Sequence, residues 1–287
     1  MNNTPSPEAV TAAQNADVVI AVVGITSQLE CEEMPVSEPG FLGGDCTSID
    51  LPQPEKDLIK AVATTRKPLI VVLMNGSALA VNWSNEHANA ILEAWYSGEE
   101  GGAAIAETLS GKNNPAGRLP VTFYKDVSQL PNFENYSMEG RTYRYFQGKP
   151  FYPFGYGLSY TKFSYIDLRL AQQTVNAGDP IAANVTVTNA GKVPGDEIVE
   201  VYLKFPPVKG APLLALRGFQ RIHLDPGASQ QVHFELEDRD LGMMTEEGHP
   251  IITGGNYTII IGGGQPDTEA PGATGHFHVN GQLALPE

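Results

Sequence analysis

The feature that most constrains the fold of this chain is a change in hydrophobic periodicity near residue 160. Before it, continuous apolar runs such as ADVVIAVVG and PLIVVLMNG alternate with helical patterns, which is typical of strands buried on both faces of a mainly parallel sheet. After it, IAANVTVTN, DEIVEVYLKF, QQVHFELE and NYTIIIGG alternate apolar and polar residues between turn sequences, which is typical of a β-sandwich. The sequence therefore predicts an α/β domain followed by an all-β domain.

This change divides the chain into four predicted segments. We expect the α/β domain in residues 1–124, an aromatic-rich connector in 125–164, the β-sandwich in 165–265 and a tail in 266–287. The α/β domain is expected to close with an extended piece from Arg118 to Tyr124. The tail is rich in Gly, Pro, Thr and Ala, and we expect it to be poorly ordered.

The charge balance excludes some classes of partner. The chain has 33 acidic residues against 18 Lys and Arg, a formal charge of −15, so neither nucleic acid nor an anionic membrane surface is an expected partner. No apolar run approaches the roughly 20 residues of a membrane span. The N-terminal MNNTPSPEAV has no signal-peptide pattern. These observations leave localisation open, and a periplasmic or extracellular parent enzyme is compatible with them.

The two cysteines, Cys31 and Cys46, lie in a Pro- and Gly-rich stretch with no His at ligand spacing. This pattern predicts neither a metal site nor a cofactor. We expect two free thiols, with a loop-closing disulfide as the alternative.

A long loop from Ile25 to Pro52 follows the first predicted strand and carries most of the candidate chemistry. Ligands of open α/β sheets collect beyond the carboxyl ends of the strands, where this loop begins. Five of its carboxylates are candidates for general acid/base catalysis; a solvated surface is the alternative for most of them. They are Glu30, Glu32, Glu33, Glu38 and Asp45.

Several motifs, in order from Asp17 to Asp267, resemble the C-terminal region of family 3 glycoside hydrolases, the family of many β-glucosidases and β-xylosidases. They include ADVVIAVVG, KPLIVVLMNGSALAV, ILEAWYSGEEGGAAIAETLSGKNNPAGRLPVTF, MEGRTYRYF and YPFGYGLSYTKFSY. VTVTNAGKVPGDEIVEVYL and LRGFQRIHLDPGASQQVHFEL resemble the family's fibronectin type III-like domain. The resemblance implies a parent with a β/α barrel, an α/β sandwich and this last domain. We therefore expect a chain without the barrel, and an α/β sheet that lacks its opening units and has an uncovered edge.

The resemblance also implies a retaining, exo-acting β-glycosidase that takes β-linked oligosaccharides or glycosides. Its nucleophile would be an Asp of the barrel, and its acid/base a Glu of the Ile25–Pro52 loop. Glu30 is the first choice for that Glu and Glu32 the second, with Asp45 as a candidate for substrate binding. Relatives carry Gly at position 31 and Arg at position 46, where this chain has cysteines.

Without the barrel's nucleophile, we expect the chain alone to have no turnover, because the first chemical step is missing. Two alternatives remain from the sequence. One is a non-catalytic module that binds carbohydrate or protein; the other is an inert truncated product.

Overall fold

The computed structural model describes residues 6–26, 29, 39–43 and 45–286; of Asp45 it describes the backbone. Its contacts form two compact units. The first, the α/β unit, comprises residues up to Ser110 together with Phe123–Leu130 and Gly148–Tyr152. The second, the β unit, comprises Gly111–Thr122, Pro131–Gln147 and the residues from Pro153 onward. The four segment limits given above remain predictions.

The α/β unit alternates strands and helices, as the first part of the sequence predicts. None of the described helices is long and apolar enough to cross a membrane. The elements are α1 (Pro7–Gln14), β1 (Val19–Val23), β2 (Phe41–Leu42), β3 (Asp45–Cys46), α2 (Gln53–Ala63), β4 (Leu69–Leu73), α3 (Asn82–His87), β5 (Ala90–Glu93) and α4 (Gly101–Leu109), with a 3-10 turn at Val127–Gln129.

A three-stranded parallel sheet in the order β1-β4-β5 forms the centre of this unit. The central strand β4 is the most buried, and its side chains pack in one core with those of α2, whose Ile59 and Val62 are buried. Strand β1 is at the edge, and its Ile20 and Val22 are exposed on one face. The predicted mainly parallel arrangement is confirmed.

The regular secondary structure in the described residues of the β unit is mostly strand, with two short helices. Its elements are α5 (Thr142–Tyr145), β6 (Phe163–Leu170), β7 (Thr174–Asn176), β8 (Ile181–Asn189), β9 (Gly195–Lys204), β10 (Ala215–Leu224), β11 (Ser229–Leu236), α6 (Asp238–Leu241), β12 (Met243–Met244), β13 (Pro250–Ile252), β14 (Gly255–Gly262), β15 (Gly272–Asn280) and β16 (Leu283–Ala284).

Two sheets enclose the core of the β unit. The larger has the order β10-β9-β14-β15-β7 and the smaller β11-β8-β6. Inward-facing residues of both sheets form one cluster, including Val185 and Val187 of β8 and Tyr257 and Ile259 of β14. Period-two alternation places these side chains on one face of each strand, so the predicted all-β sandwich is confirmed.

One local expectation is wrong. The segment after Pro266 is not poorly ordered, because β15 pairs antiparallel with β14 and buries Phe277 and Val279. The extended piece expected from Arg118 to Tyr124 forms an isolated bridge rather than a regular strand. Its Leu119 pairs with Tyr156, and its Phe123 with Tyr152, but Pro120 between them has no N–H to donate to a ladder.

Candidate active site

The carboxyl ends of the three parallel strands meet at one edge of the sheet in the α/β unit. Val23 of β1 is aligned with Leu73 of β4, which is aligned with Glu93 of β5. The chain continues this alignment by one residue beyond each strand, because Met74 N–H donates to the Val23 carbonyl and Ala94 N–H to the Leu73 carbonyl, both at 2.8 Å. We call this the carboxyl edge; it is where ligands of parallel sheets bind.

The Ile25–Pro52 loop starts from a rigid base at this edge. Gly24 has φ +154°, and a Cβ at this position would lie 1.9 Å from the Met74 carbonyl oxygen, so a glycine is required here. Its N–H donates to Glu55 Oε2 of α2 at 2.9 Å. The Tyr96 hydroxyl donates to the Ile25 carbonyl, and the Ile25 side chain is buried.

The loop also returns to the same part of the unit. Strands β2 and β3 form a short hairpin, followed by a bond from Thr47 N–H to the Gly40 carbonyl at 2.7 Å. Ala80 N–H then donates to the Ile49 carbonyl at 2.7 Å, and Lys56 pairs with Asp50 at 3.1 Å. Both ends of the loop are therefore held by α2 and by residues that follow β4 and β5.

Of the predicted site residues, the structure describes only the backbone of Asp45. Glu30 and Glu32, with Cys31 between them, lie outside the described residues. Asp45 lies in β3, paired with Leu42 of β2. The acid/base and substrate-binding assignments therefore remain predictions.

The carboxyl edge contains a carboxyl group that sequence reasoning missed. Glu93, the last residue of β5, accepts a hydrogen bond at Oε1 from Trp95 N–H at 3.2 Å. Among the residues that the structure describes, its buried Oε2 has no hydrogen-bond donor, nor has the buried Oδ1 of Asn75 beyond β4. Burial raises the pKa of Glu93 to about 7, against the smaller opposing effects of Trp95 N–H and the Asn75 side chain.

A carboxyl with this pKa exchanges its proton near neutral pH, which is what acid/base chemistry requires. Burial also raises the pKa of Glu55, whose carboxylate holds Gly24 N–H. The sequence signal for Glu93 is an acidic residue at the end of the apolar run ILEAW. Asn75 lies in the turn after β4, and its Nδ2 donates to the Ser77 carbonyl at 2.6 Å.

The β unit has a second group of buried acids, which is almost fully bonded. Glu197 accepts hydrogen bonds from Arg118 Nη2 and from the Tyr165 hydroxyl, both at 2.6 Å. Glu200 accepts one from the Tyr202 hydroxyl at 2.7 Å, and burial raises its pKa to about 7. The bonds around Glu197 join strands to the segment that contains Arg118, which indicates a structural role.

The described part of the chain has no group of three or more His, Cys, Asp or Glu arranged to hold a metal ion. The two histidines of β15 interact with neighbouring strand residues instead, His276 with Thr258 and His278 with Asn256.

Comparison with known protein families identifies both units. The glycosyl hydrolase family 3 C-terminal domain matches residues 2–160, and the fibronectin type III-like domain matches residues 197–265. A xylan 1,4-beta-xylosidase of Xylanibacter ruminicola is 40% identical over 261 residues, which cover 91% of this chain and 30% of that protein. A periplasmic beta-glucosidase of Salmonella typhimurium is 38% identical over 268 residues, covering 89% of this chain and 34% of that protein.

Solved structures agree with the family match. Beta-glucosidase 3B from Thermotoga neapolitana, in complex with alpha-D-glucose, has a TM-score of 0.82 at 30% identity and covers 98% of this chain. Beta-glucosidase from Kluyveromyces marxianus, in complex with glucose, has a TM-score of 0.81 at 31% identity. The chain covers 40% and 34% of these two proteins, so it spans about a third of the length of its relatives. The chain belongs to glycosyl hydrolase family 3, of which it carries the C-terminal α/β domain and a fibronectin type III-like domain.

Proposed function

We propose that this chain supplies the general acid/base of a retaining, exo-acting β-glycosidase, with Glu30 as the first candidate residue and Glu32 as the second. The nucleophile would come from a β/α-barrel polypeptide. Relatives named β-xylosidase and β-glucosidase make terminal β-linked xylose and glucose the substrates to test first.

The observation that carries this proposal is the anchoring of the Ile25–Pro52 loop at the carboxyl edge. An acid/base group must be held within hydrogen-bond reach of the glycosidic oxygen. The contacts of Gly24, Ile25 and Ala80 hold both ends of the loop. The described ends of the loop therefore lie at the edge of the sheet where ligands of parallel sheets bind.

The proposed reaction has two steps. First, a barrel carboxylate attacks the anomeric carbon while the protonated Glu donates its proton to the leaving oxygen. Second, the same Glu, now ionised, takes a proton from the water that hydrolyses the glycosyl-enzyme. The two carboxyl groups must then lie about 5–5.5 Å apart, so the loop must face the barrel polypeptide.

The exposed face of β1 supports the association with another polypeptide. Ile20 and Val22 of this edge strand are 48% and 58% exposed, and Val18 just before it is 42% exposed. A row of aliphatic side chains on an open sheet is typical of a surface that packs against protein. A large part of the length of the relatives lies outside the matched region, and a barrel located there would be the partner.

The proposal is tested with substrates that differ in leaving group. The chain is assembled with a family 3 barrel polypeptide, and phenyl and dinitrophenyl β-xylosides and β-glucosides are compared. Replacing the acid/base residue by Ala should lower kcat/KM for the phenyl glycosides by roughly 10²–10⁴-fold. It should change kcat/KM for the dinitrophenyl glycosides little, because dinitrophenolate leaves without a proton.

Azide then distinguishes the two candidates. It replaces water without needing a general base, so it should restore kcat for dinitrophenyl glycosides in the acid/base variant and yield the β-glycosyl azide. Glu30→Ala is expected to show this behaviour, with Glu32→Ala as the matched control. If neither variant does so in an active assembly, the acid/base assignment is wrong, and a non-catalytic module becomes the better hypothesis.

A further inference from the structure

Two arginines in the β unit lie close together although they are far apart in the sequence. Arg144 belongs to α5 and Arg217 to β10. The two elements are joined by the Leu213 N–H, which donates to the Arg144 carbonyl at 2.7 Å. The Leu216 N–H also donates to the Tyr143 hydroxyl at 3.1 Å. These two hydrogen bonds hold α5, which contains Arg144, against β10 and the residues just before it.

Their guanidinium groups are incompletely bonded. The Nε atoms of both side chains are buried without an acceptor in the described structure. Arg217 Nη2 donates to the Gly242 carbonyl, and its guanidinium lies 5.2 Å from the centre of the Phe205 ring. Within the described residues, Arg144 donates no side-chain hydrogen bond, and neither arginine forms an ion pair. Buried donors without acceptors are rare and call for an explanation, such as an ion.

The electrostatics also indicate a missing negative charge. Burial lowers the pKa of Arg217, and the positive charge of Arg144 lowers it further. Arg217 nevertheless stays charged, because an arginine pKa lies far above neutrality. The negative charge of Asp240 raises the pKa of Arg217 and so partly offsets these effects. One oxygen of Asp240, however, accepts the Glu237 N–H at 3.0 Å.

The backbone beside Arg144 is in an unfavourable conformation. Thr142 begins α5 with φ +54°, and a β-branched residue with positive φ is an outlier. Such conformations cluster at ligand sites and switch regions, where the surrounding structure maintains them. Tyr143 supports the segment by stacking on Phe154 at 4.2 Å between ring centres.

We propose that Arg144 and Arg217 bind a carboxylate group. The two guanidinium groups carry two positive charges, and the nearby Asp240 carboxylate, which also accepts the Glu237 N–H, supplies one negative charge. The net charge of +1 that remains would be neutralised by one monoanion. A guanidinium group presents a planar set of donors that matches a carboxylate. A phosphate dianion would carry excess negative charge into a chain whose formal charge is already −15. The site does not depend on the proposed hydrolysis.

The bound carboxylate could belong to a small organic acid or to a sugar acid, and a titration distinguishes the two. The full 287-residue chain is titrated with sodium acetate and sodium glucuronate at constant ionic strength. Glucose serves as the neutral match of glucuronate, and sodium chloride and inorganic phosphate as the other anions. The Nε–Hε cross-peaks of Arg144 and Arg217 in ¹H–¹⁵N spectra report on the two atoms directly.

Saturable shifts of these cross-peaks with acetate and glucuronate, and none with glucose or chloride, are the expected result. Equal affinities would identify the carboxylate alone as the ligand, and tighter binding of glucuronate a sugar acid. Arg144→Gln should weaken binding by roughly 10- to 100-fold, since a hydrogen bond to a charged group contributes about 1.5–3 kcal/mol. Arg221→Gln is the matched control: Arg221 lies on the same strand and is paired with Asp196.

Three results would overturn the proposal. They are the absence of saturable shifts in the unmodified chain, the same affinity in Arg144→Gln, and tighter binding of phosphate than of acetate. Arg217→Gln removes the packing on Phe205 and can unfold the unit, so the titrations of the unmodified chain and of Arg144→Gln decide the outcome.

Discussion

Glu93 and Glu197 are carboxyl groups withdrawn from solvent, one in each unit, and they differ in how their oxygens are bonded. Glu197 accepts from an arginine and a tyrosine at 2.6 Å each. Glu93 accepts from one backbone N–H at 3.2 Å, while its second oxygen is buried without a donor in the described structure. Fully bonded buried acids stabilise a unique packing, whereas an incompletely bonded acid at the carboxyl edge is available to exchange a proton.

The largest expected effect comes from breaking the bonded group. Arg118→Met leaves Glu197 buried without its ion pair, and it should lower the free energy of unfolding of the β unit by about 3–5 kcal/mol. The side chains of this pair are 9% and 2% exposed. Lys204→Met is the control, because Lys204 and Asp267 are 38% and 77% exposed and such pairs contribute about 1 kcal/mol or less. Urea denaturation measures both, and equal losses would contradict a structural role for Arg118.

A somewhat smaller loss is expected from crowding the carboxyl edge. Gly24→Ala forces a Cβ against the Met74 carbonyl and should destabilise the α/β unit by about 3 kcal/mol. Gly98→Ala is the control, since a Cβ at Gly98 meets nothing within 4 Å. Hydrogen exchange of the β1 and β4 amides localises the effect. An unchanged exchange pattern in Gly24→Ala would show that the loop base is not rigid.

Each unit should also lose stability with rising pH through a single buried carboxyl group. The pKa of Glu93 rises from 4.5 to about 7 on folding, so its contribution to stability is full below pH 4.5 and is lost as pH rises to about 7. The loss is on the order of 3 kcal/mol. Glu93→Gln should remove it from the α/β unit, and Glu200→Gln should remove a similar loss from the β unit. Unfolding free energies between pH 4 and 8 test this; a Glu93→Gln profile parallel to that of the unmodified chain would refute it.

The smallest expected effects compare two tyrosine hydroxyls. Tyr165→Phe removes a donor to the Glu197 carboxylate and should cost about 2 kcal/mol, while Tyr96→Phe removes a donor to the neutral Ile25 carbonyl and should cost about 1 kcal/mol. Denaturant midpoints measure both. The reverse order would mean that the carboxyl edge, not the Glu197 group, is the more tightly held region.

Most of the architecture was predictable because the deciding signals are local in the sequence. Continuous apolar runs predicted β1 and β4, and alternation predicted the long strands of the sandwich, which the structure confirms. Strand β15 was not predicted, because its sequence GATGHFHVN has few apolar residues. Its strand structure depends on pairing with β14, which no local pattern shows. Pro120 keeps the extended piece from Arg118 to Tyr124 from forming a regular strand, because proline has no N–H to donate.

The candidate site was less predictable because it depends on alignment between segments. The register of β4 and β5 brings Asn75 and Glu93 to the same edge, and no local pattern contains that register. Arg144 and Arg217 likewise become neighbours only through the bonds between α5 and the segment around β10. Glu30 and Glu32 rest on the resemblance and stay predictions.

The most direct measurement is the hydrolysis of aryl β-xylosides and β-glucosides by the purified chain, alone and assembled with a family 3 barrel polypeptide. We expect no turnover by the chain alone, and turnover by the assembly that falls by roughly 10²–10⁴-fold in Glu30→Gln or Glu32→Gln. Turnover by the chain alone, or an assembly whose activity survives both substitutions together, would contradict the role proposed for the Ile25–Pro52 loop.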